Sequence, residues 1–148
     1  MSQSVSFTVP LVPPSVNHYW IETYQYNRII KKTVLAKALS PEAVAFKSAV
    51  AVFAKGRTVI PVDATKYQLS KVRYALNVTV YLGVGERGDG DNFFKGIGDG
   101  LVDAGVIHSD ARIKSWHIEV DDTDRKNPRT EIQVSLYSAK EVADATAA

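Results

Sequence analysis

The chain contains no cysteine. Disulfide staples, thiolate zinc sites and cysteine nucleophiles are thereby excluded. No apolar run approaches the ~20 residues of a membrane-spanning helix, and the N-terminus lacks the basic-then-apolar order of a secretion signal, so a cytoplasmic protein is expected. No internal repeat is visible. His18 has no second histidine at metal-ligand spacing. What is present, 148 residues with 45% hydrophobic and 23% charged, suits one folded core. A single domain over 1–139 is therefore expected, with an alanine-rich tail, 140–148, that frays.

The formal charge of +2 hides an asymmetry. Between Tyr24 and Arg73 ten basic residues stand against two acids, whereas from Glu86 onwards thirteen acids stand against eight bases. A basic half can grip a polyanion while an acidic half holds metal, although lysines also merely solvate helix faces.

Alternation of Val5, Phe7, Val9 and Leu11 with polar residues predicts a strand over Val5 to Val12, and Pro10 argues for a sheet edge or a bulge there. Asn17, His18, Tyr19 and Trp20 follow two prolines, and could line a groove or bury their rings in the core. Residues 21–37 are ambiguous: the composition allows a short helix, but β-branched residues weaken it. Ser40 and Pro41 form an N-cap and first helical position, Ala43, Phe46, Val50 and Phe53 an apolar face, and Gly56 a stop. Residues 58–73 are poorly periodic and read as a loop. Leu76 to Leu82 alternates as a half-buried strand.

The chemistry concentrates in residues 89–110, DGDNFFKGIGDGLVDAGVIHSD. Asp89 and Asp91 lie between that strand and a helix expected over about Asn92 to Ala104, with Phe94, Ile97, Leu101 and Ala104 on its apolar face. Asp110 follows the helix. Alternate residues of an extended turn can point to one centre, and a return of the chain brings Asp110 towards it, giving a site for a hard cation such as Mg²⁺. Lys95, at i+4 from Asp91, suits a phosphate substrate because it can meet developing negative charge. The same residues also read as an ordinary cap and a solvated stripe continuing through Asp99 and Asp103. Three helical glycines, Gly96, Gly98 and Gly100, each costing roughly 1 kcal/mol against alanine, require an offset such as close packing. Gly83, Gly85 and Gly88 match the outline of a dinucleotide-binding turn, but the helix begins too late and Asp89 and Asp91 would repel a pyrophosphate. No nicotinamide or flavin cofactor is expected.

After Gly105 ends the helix, Val106 and Ile107 begin a strand or bridge. Arg112 to Val120 and a last strand carrying Ile132, Val134 and Leu136 then suggest an antiparallel hairpin closed by the turn at 121–129. Its acids, Asp121, Asp122 and Asp124, could bind metal but read first as a charged, exposed turn.

Taken together, VPPSVNHYW, the D-x-D-N-x-x-K of Asp89 to Lys95, Asp99, and GVIHSD ending at Asp110 resemble the RusA family of phage-type Holliday-junction resolvases. The resemblance extends over about residues 8–137. It implies an α+β fold, a mixed β-sheet with two principal helices, paired as a homodimer acting on branched DNA, the four-way junction. It further implies that Asp89, Asp91 and Asp110 are catalytic metal-binding carboxylates and that Lys95 is a catalytic lysine, with Mg²⁺ as cofactor and Mn²⁺ as a substitute. The chain has Gly88 where many relatives place arginine, with Arg87 one position earlier, and Ser109 where many have a second acid.

Candidates for DNA contact are Asn17, Arg28, Lys31, Lys32, Lys66, Lys71, Arg73 and Arg87. The expected reaction is metal-assisted phosphodiester hydrolysis in a bacterial or phage-infected cell. Two alternatives stay open: a junction-binding protein without catalysis, and a nuclease for flap or other branched DNA.

Overall fold

The structure, a computed structural model, describes residues 4–137. The expected tail at 140–148 lies outside the described residues. Alternating side chains build β1 (Ser4–Val9), β4 (Tyr74–Tyr81), β5 (Ile113–Asp121) and β6 (Arg129–Leu136), which form one mixed sheet in the order β1-β6-β4-β5. β4 pairs with β5 in parallel and with β6 antiparallel, and β1 pairs with β6 antiparallel. The α+β architecture is as expected: a mixed sheet and two main helices, α1 (Pro41–Ala54) and α3 (Phe94–Asp103).

Period-two alternation gives the sheet two unlike faces. Phe7, Leu76, Val78, Val80, Ile132 and Val134 point to one side and bury with Phe46 and Val50 of α1 and Ile97 and Leu101 of α3. The opposite side carries Ser6, Asn77, Thr79, Glu131 and Gln133 and meets solvent. β1 is an edge strand ending at Val9, one residue before Pro10, whose missing N–H then costs no ladder bond.

α1 begins where its capping chemistry predicts. Ser40 Oγ accepts a hydrogen bond from Ala43 N at 3.1 Å, and Pro41 takes the first helical position. The buried stripe is Ala43, Phe46, Val50 and Ala54. Phe53, expected on that stripe, is 37% exposed. Lys55 and Gly56 both take left-handed backbone (φ 55° and 70°) and stop the helix.

Four expectations are revised. Residues 21–37 fall in two antiparallel strands, β2 (Trp20–Asn27) and β3 (Lys32–Leu39), which form a separate two-stranded sheet. Residues 58–73 contain a short helix, α2 (Lys66–Lys71), started by a capping box in which Thr65 and Gln68 satisfy each other's backbone N–H groups. Val106 and Ile107 form no strand, although Val106 O accepts from Val59 N at 3.0 Å.

The fourth concerns β5 and β6, which are not a hairpin because β4 lies between them. Their connection crosses the end of β4 instead. Leu82 N donates to Asp121 O (2.9 Å), and Arg125 Nη1 donates to Gly83 O (2.8 Å) and Glu86 O (3.1 Å), so the connection is fastened to the chain leaving β4.

Candidate functional site

The chain leaving β4 turns back along the outer edge of β5. Residues Gly90–Phe93 form a 3-10 turn with Asp89 at its N-cap position, and α3 follows directly from Phe94. Asp91 is therefore inside the turn rather than the cap of α3, and no capping bond forms to the side chain of Asp89. A Cβ on Gly90 would stand 2.9 Å from Ile118 O, so the turn lies directly on β5. Glycine is required there by contact.

The three glycines of α3 are explained by contact as well. A Cβ would lie 3.0 Å from Pro14 Cδ at Gly96, 3.3 Å from Asp110 Cβ at Gly98, and 3.1 Å from Val50 Cγ2 at Gly100. α3 is thus pressed against the proline loop, α1 and the Asp110 segment at once. Gly98 is what lets Asp110 come close to the helix.

The predicted residues are strung along β5. Asp89 shares a shallow groove with Arg87, Asp122, Arg125 and Val120, near the C-terminal end of the strand. The turn bearing Asp91 rests on Ile118. Lys95 and Asp110 share a second groove with Phe94, Ala111 and Trp116, and the Phe94 and Trp116 rings stack at 4.6 Å. The Asp89 groove touches Val120 and the Asp110 groove Trp116, four residues earlier on the same strand.

All four side chains are exposed. The carboxylates of Asp89, Asp91 and Asp110 accept no hydrogen bond and join no ion pair among the described residues. They are unpaired hard-oxygen donors, the kind that suits Mg²⁺. Among the described residues, however, no three His, Asp or Glu side chains are gathered closely enough to hold a metal ion together. The donors fit the cation in kind and are free to bind; a closed cage is not drawn.

Lys95 pairs with Asp99 (3.1 Å), not with Asp91 as its spacing suggested. Asp99 also accepts from the hydroxyl of Tyr19 at 2.5 Å, and Lys95 Nζ lies 5.8 Å from the centre of the Tyr19 ring. Tyr19 is fully buried. Burial first, then the hydrogen bond to Asp99 and the charges of Asp99, Asp103 and Asp110, push its hydroxyl well above the ordinary tyrosine value. It therefore stays a donor, and Asp99 is held between a phenol and an ammonium. The separation of 80 residues between Tyr19 and Asp99 left no local signal of this contact.

The profile of the family described as "Endodeoxyribonuclease RusA" matches residues 14–135. The chain belongs to the RusA family. A search of curated proteins finds no match. RusA membership makes the protein an endodeoxyribonuclease at the family level, of the kind that resolves branched DNA junctions. The matched segment runs from Pro14 to within one residue of the end of β6 and so contains Asp89, Asp91, Lys95 and Asp110 with α3 and β5.

The RusA-like N-terminal stretch divides its residues. Asn17 and His18 line a cleft of about 540 Å³ together with Glu42, Arg87 and Asn92. Tyr19 goes to the interior and Trp20 is exposed at the start of β2. The remaining DNA candidates are scattered: Arg28, Lys31 and Lys32 at the β2–β3 turn, Lys66 and Lys71 on α2, and Arg73 just before β4. Among the described residues no helix is long and apolar enough to cross a membrane.

Proposed function

We propose that this RusA-family protein is a Mg²⁺-dependent, homodimeric, cytoplasmic endonuclease that resolves four-way DNA junctions by paired phosphodiester hydrolysis. The observation that carries the reading is the row of three unpaired, exposed carboxylates, Asp89, Asp91 and Asp110, beside Lys95 on one open edge. An open edge admits a nucleic-acid backbone. A dimer would present two such edges to two symmetry-related strands.

Asp89, Asp91 and Asp110 would hold Mg²⁺, or Mn²⁺ in its place, which when bound supplies an activated water and stabilises the leaving 3′-oxygen. The chain's own contribution is positional. Asp99 and Tyr19 hold the Lys95 ammonium beside Asp110, where it can turn to a scissile phosphate and offset charge growing on its oxygens. Asn17 and Arg87, which line one cleft, would bind an adjoining stretch of backbone. The product expected is a 5′-phosphate.

A labelled mobile four-way junction, set beside duplex, flap and single-stranded controls with Mg²⁺ or EDTA, tests the assignment. Wild type should give paired nicks at the junction with Mg²⁺ only, and Asp91→Asn should abolish them while still binding the junction. Undiminished metal-dependent cleavage by Asp91→Asn would remove the role assigned to that carboxylate. A second reading, binding without catalysis, is favoured by the lack of any three gathered acids among the described residues. Tight binding with no nick under Mg²⁺ or Mn²⁺ is its signature.

A further inference from the structure

Among the described residues the β2–β3 hairpin joins no other strand, and none of the side chains in its strands is fully buried. Isolated two-stranded hairpins are marginal in water, so this one is built at a cost. Its register places Trp20, Tyr24, Tyr26 and Leu35 on one face, with Tyr24 75% exposed. The tip is odder still. Ile29 is 92% and Ile30 52% exposed, at a position where turns ordinarily use Gly, Asn, Asp or Pro.

That tip is well formed. Asn27 Oδ1 accepts from Ile29 N (2.9 Å) and Ile30 N (3.3 Å), and Lys31 takes a left-handed conformation (φ 55°) to close it. The two isoleucines are flanked by Arg28, Lys31 and Lys32. Over residues 20–39 the hairpin has four cations, counting Lys37, and one acid, Glu22. Such a charge selects a polyanion and disfavours packing of one hairpin on another copy.

The hairpin also starts at the candidate site. Tyr19, immediately before β2, donates to Asp99, lies beneath Lys95 Nζ, and accepts from Ser40 N at 2.9 Å, so both strands leave the body at one point. Eight-residue strands extend the tip by ~26 Å from there.

We propose that the β2–β3 hairpin is a DNA-opening arm: Ile29 and Ile30 enter between bases at the branch point while Arg28, Lys31 and Lys32 hold the flanking phosphates. Apolar wedges of this kind unstack base steps when cations fix the backbone beside them. A branch point offers steps already weakened, so the arm selects branched over continuous duplex DNA. This rests on the junction reading above.

The test uses the full chain in EDTA, which blocks metal-dependent cleavage, with four-way junctions carrying 2-aminopurine either at the branch point or in the middle of one arm. Wild type should raise fluorescence several-fold at the branch point alone. Ile29→Ser with Ile30→Ser should lose most of that rise; these solvated side chains leave the fold intact, as circular dichroism checks. Arg28→Gln, Lys31→Gln and Lys32→Gln together should weaken binding more than the serine pair does and lower the salt slope of affinity by about three. An unchanged rise in the serine variant, or an equal rise in mid-arm, overturns the proposal. So does sedimentation showing that the serine pair converts a dimer to monomers, which would assign the tip to a second copy. Wild type that neither binds nor nicks a junction overturns the nuclease reading and the arm together; wild type that nicks in Mg²⁺ without a branch-point signal in EDTA overturns the arm alone.

Discussion

Asp99 decides where Lys95 stands. Both Asp91 and Asp99 are four residues from Lys95, so sequence spacing offers two equal partners. The structure chooses Asp99 because the helix begins only at Phe94; Asp91 is in a 3-10 turn, where an i,i+4 pair does not align. The order of Asp89, Asp91, Lys95 and Asp110 was legible in the sequence, but the phenol that fixes Asp99 was not. Tyr19→Phe keeps the buried ring and removes only the hydrogen bond. It should cost ~1.5–3 kcal/mol, the worth of a bond to a charged acceptor. Because folding raises the Tyr19 pKa above the ordinary 10.0, its contribution is complete below about pH 10 and falls as pH rises further. Urea unfolding between pH 8 and 11 should therefore show wild type losing stability more steeply than Tyr19→Phe. Tyr74 and Tyr81, whose pKa values are also raised, remain in both proteins and cancel. Parallel slopes would mean that the Tyr19 bond is not retained in solution.

Among the elements, α1 and β4 were readable because capping chemistry or strict alternation marks them locally. β2 and β3 were not, since a hairpin solvated on both faces has no buried row to impose a period: Tyr24, Gln25 and Tyr26 are all exposed. The false β5–β6 hairpin has a different cause. Neighbours in sequence usually pair, and only the long-range insertion of β4, with Arg125 bridging its end, forbids it here. α3 shows that a local rule can mispredict a mutation. Helix propensity says Gly96→Ala should stabilise by about 1 kcal/mol. The new methyl would instead meet Pro14 Cδ at 3.0 Å, Cγ at 3.1 Å and the backbone oxygen at 3.3 Å. A proline ring and a main-chain carbonyl do not move aside like a flexible side chain, so a net loss of ~1–3 kcal/mol is expected from overpacking. Thermal melting separates the two signs. A raised midpoint would show that the proline loop does not press on α3 as described.

At the scale of the whole molecule the charge asymmetry becomes a division of space. Asp89, Asp110 and Asp122 line grooves along β5, while Arg28, Lys31, Lys32 and Lys37 lie on the hairpin and Lys66, Lys71 and Arg73 in the segment from α2 into β4. That second group is tied to the site: Arg112, two residues after Asp110, donates Nε to Val72 O at 2.8 Å, between Lys71 and Arg73. Tyr137 N fixes Arg73 O at 2.8 Å. DNA lying along the edge at Asp110 would thus pass exposed Lys71 and Arg73. Each phosphate neutralised releases condensed counterion and adds about 0.9 to the slope of log affinity against log salt. Lys71→Gln with Arg73→Gln should therefore lower the steepness of that slope by roughly two for junction binding between about 50 and 200 mM salt, with Asp91→Asn as background to prevent cleavage. An unaltered slope would place the backbone elsewhere on the edge, leaving this cationic end to solvate α2. A reduced slope would join Lys71 and Arg73 to the Asp110 groove as one continuous track, because Arg112 leaves little freedom for the two to move apart.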